Sequence, residues 1–122
     1  MILVDSNIII YHFNGMSKAT EFLNAHQRKL YLSAMSVAEV LSFAPSEKAL
    51  GMAEQFLNEN FIWLDISREI ILTTAKIRRQ RKIKMPDAII GATALVHHLA
   101  IASRNEKGFK YLAIDIINPI DS

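Results

Sequence analysis

Three carboxylates in this 122-residue chain lie where an acidic side chain can do chemistry. Asp5 follows the apolar run "MILV", Glu39 lies inside "MSVAEVLSF", and Asp87 begins "DAIIGATALV". Two like charges about 4 Å apart repel by roughly 4 kcal/mol at an effective dielectric constant of 20. If the three acids meet, they therefore require protons or a cation. Because the chain has no cysteine, an all-oxygen ligand set favours a hard ion such as Mg²⁺ or Mn²⁺.

Helix chemistry offers a second explanation for two of these acids. A carboxylate at a helix N-terminus gains roughly 0.3–1 kcal/mol, so Asp5 is also a candidate helix cap and Asp87 a first-turn stabiliser after Pro86. Glu39 lies mid-helix, with Met35 and Phe43 one turn away on the same face. A glutamate on an apolar face needs a partner or must extend to solvent, and the sequence leaves both interpretations open.

The segments that carry the acids alternate between short apolar runs and helical patterns. Strands are predicted at "MILVD", "LYLSA", "FIWLD", "LAIAS" and "LAIDII". Helices are predicted at "SNIIIYHF", "SKATEFLNAHQRK", "MSVAEVLSF", "SEKALGMAEQFLNEN", "SREIILTTAKIRRQRKI" and from Pro86 onward. This order predicts an α/β fold of three layers, α/β/α, around a central parallel sheet of four to five strands. Ligands bind outside the carboxyl ends of such strands, which brings Asp5, Asp87 and Asn105 toward one edge of the sheet.

Composition restricts the class of protein. A hydrophobic content of 51% is too high for a disordered chain, and no linker or repeat divides residues 1–122, so we expect a single domain. The longest uncharged runs are too short to span a bilayer, and the N-terminus lacks the basic region of a signal peptide. We therefore expect a cytoplasmic protein without a membrane segment.

Positive charge is concentrated in "RRQRKIK", residues 78–84, which has five basic residues in seven. Cations are favoured at the C-terminal end of a helix, so this run has a purely structural explanation. A polyanionic partner explains it equally well, and the net charge of +2 is compatible with both.

The chain resembles the PIN domain, specifically the VapC-type toxins of bacterial and archaeal toxin–antitoxin pairs. The resemblance runs nearly end to end and rests on "ILVDSN", "LSAMSVAEVL", "MPDAIIGATA" and "IASRNEKGF". It implies a parallel sheet with an acidic pocket at the strand ends. It also implies a divalent-metal-dependent endoribonuclease that forms a homodimer and is inhibited by a cognate antitoxin.

The resemblance assigns roles to individual residues. Asp5 and Asp87 would bind the metal directly, and Glu39 directly or through water. Ser6 and Ser103 would orient ligands or phosphate through their hydroxyl groups.

The chain departs from the family pattern at the fourth acidic place. Family members usually carry an acid at the position of Asn105 or a little later, at the position of Gly108. Here Asn105 offers only a neutral oxygen as a candidate metal ligand, and Glu106 is the nearest carboxylate. This difference leaves the number of bound metal ions and the catalytic strength open.

The predicted reaction is hydrolysis of RNA phosphodiester bonds, with Asp5, Glu39 and Asp87 as the catalytic acids. The metal would neutralise charge that develops on the phosphate, and Glu39 or Asp5 would accept a proton from water. Three basic residues are candidates for guiding the RNA backbone: Arg79, Arg81 and Lys82. The alternative is a catalytically weak or inactive PIN domain that binds RNA or a protein.

Overall fold

The computed structural model describes residues 1–122 and alternates between short strands and helices, as predicted. The strands are β1 (Ile2–Val4), β2 (Leu30–Ser33), β3 (Ile62–Leu64), β4 (Ala100–Ala102) and β5 (Ile116–Ile117). The helices are α1 (Ser6–Phe13), α2 (Ser17–Ala25), α3 (Ala34–Ser42), α4 (Glu47–Asn60), α5 (Arg68–Gln80) and α6 (Met85–His97). A short 3₁₀ helix covers Glu106–Gly108. None of these helices has the length and apolar character needed to cross a membrane.

All five strands form one parallel sheet in the order β3-β2-β1-β4-β5. The chain adds strands on one side of β1 and then returns to add β4 and β5 on the other side. The direction of strand addition therefore reverses between β1 and β4, and the carboxyl ends of these two strands mark the crevice where such folds bind ligands. The predicted parallel sheet is confirmed, with five strands.

Successive side chains of β1 point to opposite faces of the sheet, and a layer of helices covers each face. Ile2 and Val4 pack into a core cluster with residues of α1 to α4. Leu3, between them, packs on the opposite face with Ile90 of α6 and Ile101 of β4. This period of two is what a strand buried on both faces requires, and it confirms the three-layer arrangement.

Helix α6 is buried on two sides, which explains its nearly uniform apolar composition. All residues from Ala88 to Ala94 are buried. Ile90 and Ala94 face the sheet, whereas Ile89 and Ala92 pack against α5. A helix enclosed in this way must be apolar nearly all round, so its one acidic residue can lie only at an exposed end.

Three predicted elements are clearly longer than the observed ones. Helix α2 ends at Ala25 although the pattern predicted helix to Lys29, because Arg28 has a φ of 70°, which is incompatible with a right-handed helix. The helix that begins after its N-cap Ser67 ends at Gln80, although the pattern predicted helix to Ile83. Residues 78–82 provide no apolar side chain for packing, and packing supplies most helix stability. The last strand covers only Ile116–Ile117 rather than all of "LAIDII", because Leu112 and Ile114 pack beneath the sheet in an irregular segment.

Candidate active site

Asp5 combines the two roles considered for it from the sequence. It caps α1, with Oδ1 accepting a hydrogen bond from the Ser6 backbone N–H at 2.9 Å. Its other oxygen, Oδ2, accepts a hydrogen bond from the Ser103 hydroxyl at 2.8 Å. The residue is only 6% exposed, so helix capping alone does not account for a carboxylate at this depth.

Ser103 links the ends of β1 and β4. While its hydroxyl donates to Asp5, its oxygen accepts hydrogen bonds from the Asn105 backbone N–H at 2.9 Å and from Asn7 Nδ2 at 3.3 Å. Asn7 Nδ2 also lies 3.4 Å from Asp5 Oδ2, and Asn7 Oδ1 accepts from the Arg104 backbone N–H. Asn7 is not among the predicted site residues, and its one signal in the sequence is its place two residues after Asp5 in "DSN".

Burial and neighbouring negative charge both act on Asp5. Burial is the main cause that raises its pKa from 3.8 to about 6, and the charges of Asp87 and Glu39 raise it further. The hydrogen bonds from Ser103 and Ser6 oppose this shift. The charges of the other two acids predicted from the sequence therefore reach Asp5, as a site for a cation requires.

Asp87 lies in the first turn of α6, half-buried, with Asn105 beside it. Burial raises the pKa of Asp87, and the positive charge of Lys84 opposes that shift. Asn105 Nδ2 donates to Asp87 Oδ2 at 3.4 Å, whereas Asn105 Oδ1 accepts from the Gly108 backbone N–H at 3.3 Å. The nitrogen of Asn105, rather than the oxygen suggested as a ligand, thus faces Asp87.

Glu39 lies on α3 and is half-buried. Its helical neighbour Met35 is also half-buried, but Phe43 is 70% exposed. The face that carries Glu39 is therefore at the border of the core, where the carboxylate remains accessible to a ligand.

No three acidic or histidine side chains converge tightly enough to form a ready-made metal site. The donor chemistry of the acids nevertheless fits a hard divalent cation. Asp5 and Asp87 supply carboxylate oxygens, burial disfavours their charged forms, and the charge of Glu39 adds to the negative potential. A cation that offsets this charge would be bound by oxygen alone, as Mg²⁺ and Mn²⁺ prefer.

Next to Asp87 is a cavity of about 870 Å³, which we call the basic groove. Five cationic side chains line it: Arg81, Lys82, Lys84, Lys107 and Lys110. Asp87, Asn105 and Tyr111 complete the polar part of its wall.

The groove includes two of the three basic residues suggested for RNA. Arg81 and Lys82 line it, whereas Arg79, in the last turn of α5, does not. Lys107, Lys110 and Tyr111 were missed, because nothing in their local sequence connects them with residues 81–84.

The PIN domain family model matches residues 2–115. The chain belongs to the PIN domain family. The match includes Asp5, Glu39 and Asp87 together with Ser103 and Asn105, so both the acidic site and the loop after β4 of this PIN domain lie within it.

Individual relatives agree with this assignment over nearly the whole chain. A VapC ribonuclease, Y4jK of Sinorhizobium fredii, is 29% identical over an alignment of 136 positions that covers 98% of this chain and 97% of that protein. A toxin–antitoxin complex from Klebsiella pneumoniae contains a chain that is 31% identical, with a TM-score of 0.87 and 98% coverage of both chains. A DNA-bound VapBC structure from Salmonella typhimurium has a TM-score of 0.83 at 20% identity and 97% coverage of each chain, a similarity of fold.

Proposed function

We propose that this PIN domain protein is an endoribonuclease and the toxin of a toxin–antitoxin pair. The observation that carries the proposal is the buried, hydrogen-bonded Asp5 at the switch point of the sheet, which feels the charge of Asp87 in the lining of a basic groove. The family match and the similarity to a VapC ribonuclease support the same function. The proposal includes RNA as the substrate and the cytoplasm as the place where the protein acts.

Asp5 and Asp87 would hold a Mg²⁺ or Mn²⁺ ion, with Glu39 as a third ligand directly or through water. When bound, the ion would supply Lewis-acid polarisation of the phosphate and offset its developing negative charge. Ser6 and Asn105 lie beside these ligands, where they contact Asp5 and Asp87 respectively. They keep the two carboxylates in place.

The remaining steps use the chain's own groups. Arg81 and Lys82, which line the groove beside Asp87, bind phosphates of the RNA backbone. In the metal-free protein the pKa of Asp5 is about 6, so near neutral pH its carboxylate is mostly ionised and available to hold the ion or to accept a proton from an attacking water molecule. Glu39 is the second group that can take this proton. The Ser103 hydroxyl holds Asp5 in one orientation during the transfer.

The test is cleavage of single-stranded RNA by purified protein with Mg²⁺ or Mn²⁺. We expect Asp5→Ala, Glu39→Ala and Asp87→Ala each to abolish cleavage while the circular dichroism spectrum stays unchanged. Asp65→Asn is the matched control, because Asp65 is an exposed acid that follows the edge strand β3. Cleavage at the wild-type rate by Asp87→Ala would contradict the assignment. RNA binding without cleavage by the wild type would favour the non-catalytic alternative.

An antitoxin is the proposed protein partner. Helices α1, α3 and α4 border an apolar cavity of about 570 Å³. Its lining includes three large apolar side chains that are exposed to solvent: Phe13, Phe43 and Met52. Large uncovered apolar patches of this kind mark binding surfaces, and this one suits an apolar helix of a partner. We expect a small protein encoded next to this gene to co-purify with the chain and to inhibit cleavage. Phe43→Glu should weaken that complex without changing cleavage by the free protein.

A homodimer is the second proposed assembly. The edge strand β3 exposes Ile62 and Trp63, and α5 exposes Ile71 and Leu72. Light scattering should give twice the mass of the chain, and Leu72→Glu should shift the mass toward the monomer if α5 forms the contact. A monomeric wild type at micromolar concentration would contradict the proposal.

A further inference from the structure

We propose that the basic groove binds the RNA strand on one side of the cleaved phosphate, with Lys84, Lys107 and Lys110 as substrate-positioning residues. This inference rests on the proposed ribonuclease function. It extends that function to Lys107 and Lys110, which neither the local sequence pattern nor the similarity to relatives singles out.

Two separate segments supply the charge of the groove. Arg81, Lys82 and Lys84 come from the loop between α5 and α6, and Lys107 and Lys110 from the segment after β4. The only ion pair in the structure joins Arg104 and Asp121, so none of the five groove cations is neutralised by a carboxylate in a salt bridge. Like charges gathered around one cavity repel one another, and a polyanion in the groove removes that repulsion.

The floor of the groove is fixed to the helix that carries Asp87. The guanidinium of Arg81 lies 5.1 Å from the centre of the Tyr111 ring, within the range of a cation–π contact. Tyr111 and Leu112 pack so closely on Gly91 of α6 that a Cβ at this glycine would lie 3.3 Å from Tyr111 Oη and 2.7 Å from Leu112 Cδ1. The close packing holds the groove at a constant position relative to Asp87.

The one carboxylate of the groove marks where it adjoins the acidic site. Asp87 is its only carboxylate, and Asp87 belongs to the acidic site. A phosphate near the acids would lie beside Asp87, and neighbouring phosphates of the strand would lie among the lysines. Lysine contacts to phosphates carry no base information, so we expect the groove to contribute affinity for single-stranded RNA of any sequence.

The experiment measures RNA binding separately from cleavage. Fluorescence anisotropy of a labelled, mixed-sequence single-stranded RNA is followed in EDTA at several KCl concentrations for the wild type and for Lys107→Gln/Lys110→Gln. Each lost phosphate contact lowers the slope of log K against log salt by about 0.7 for single strands, so we expect the double variant to lose about 1.4. Lys48→Gln/Lys76→Gln is the matched control, because these two exposed lysines on α4 and α5 lie outside the groove.

A wild-type slope in Lys107→Gln/Lys110→Gln, or an equal loss in the control, would overturn the inference. So would the absence of measurable RNA binding by the wild type at 50 mM KCl. Cleavage by the wild type with Mn²⁺ is assayed in parallel. If the slope falls as expected but no RNA is cut, the groove assignment stands and the proposed ribonuclease function fails.

Discussion

Replacing Asn105 by aspartate tests how the missing fourth acid affects metal binding. Asn105 Nδ2 lies 3.4 Å from Asp87 Oδ2, so the variant places a second negative charge beside Asp87 and removes a hydrogen bond. At this separation of 3.4 Å, two unit charges repel by about 5 kcal/mol at a dielectric constant of 20 and by about 1 kcal/mol at 80. Because Asn105 is exposed, we expect the lower part of that range, about 1–2 kcal/mol.

The sign of the effect reverses when a divalent cation binds. In EDTA, Asn105→Asp should therefore melt several degrees below the wild type, whereas Mn²⁺ should restore its stability. The extra carboxylate should tighten Mn²⁺ binding by about tenfold, since tenfold corresponds to 1.4 kcal/mol. We expect the wild type to bind at most one ion, weakly, because Asp5, Glu39 and Asp87 supply the only negative charge predicted for the site.

Thermal melts in EDTA and in Mn²⁺, together with calorimetric titration of Mn²⁺, measure both effects. Asn24→Asp, an exposed position on α2, makes the same change of charge far from the acids in the sequence and serves as the control. An unchanged Mn²⁺ affinity in Asn105→Asp would refute the reasoning. Two tight sites in the wild type would also refute it and would make Glu106 the first candidate for the fourth ligand.

Three further predictions concern the groups around this site. The pKa of Asp5 is raised from 3.8 to about 6, so its contribution to stability is complete below pH 3.8 and is lost as the pH rises through 6. Urea titrations of the metal-free wild type should therefore show that Asp5 contributes a gain of about 1–2 kcal/mol in the free energy of unfolding from pH 7.5 to pH 5. The gain should be smaller by this amount in Asp5→Asn, in which the raised pKa of Asp87 still contributes. An equal gain in both proteins would contradict this origin. Ser103→Ala removes the hydrogen-bond donor to Asp5 and the acceptor of two N–H groups. Urea denaturation should therefore show a loss of about 1–3 kcal/mol in the free energy of unfolding. The pKa of Asp5 should rise further, which an NMR titration would detect. Gly108→Ala places a Cβ 2.5 Å from Asn105 Nδ2, so it should displace the Asn105 side chain and change the Mn²⁺ affinity. Gly51→Ala is the control, because a Cβ at Gly51 has no neighbouring atom within 4 Å. It should leave the Mn²⁺ affinity unchanged and stabilise α4 by about 1 kcal/mol.

Local physics in the sequence accounts for the elements and for the acids. Short apolar runs predict the positions of all five strands, and the apolar stretch after Asp87 predicts a helix enclosed on two sides. A hydroxyl before a helix satisfies an unpaired N–H, and Ser67 at the start of "SREIILTTAKIRRQRKI" caps α5 in this way by accepting a hydrogen bond from the Ile70 N–H. Asp5 and Glu39 are notable for their types and surroundings, which are visible without the fold. These features depend on neighbours within about one helical turn, so the sequence determines them.

The groove and the hydrogen bonds of the acids depend on contacts between distant segments. Asp5 meets Ser103, 98 positions away, because β1 and β4 are adjacent in the sheet. Helix α5 ends at Gln80 because the following charges have nothing to pack against, and only then can the next residues form a wall of the groove. Lys107 and Lys110 have no periodicity that marks them, and their position opposite that wall follows from the packing of the Tyr111 segment on Gly91. Side chains with no local signal are positioned by the order of the strands and by close packing, which arise only when the whole chain folds.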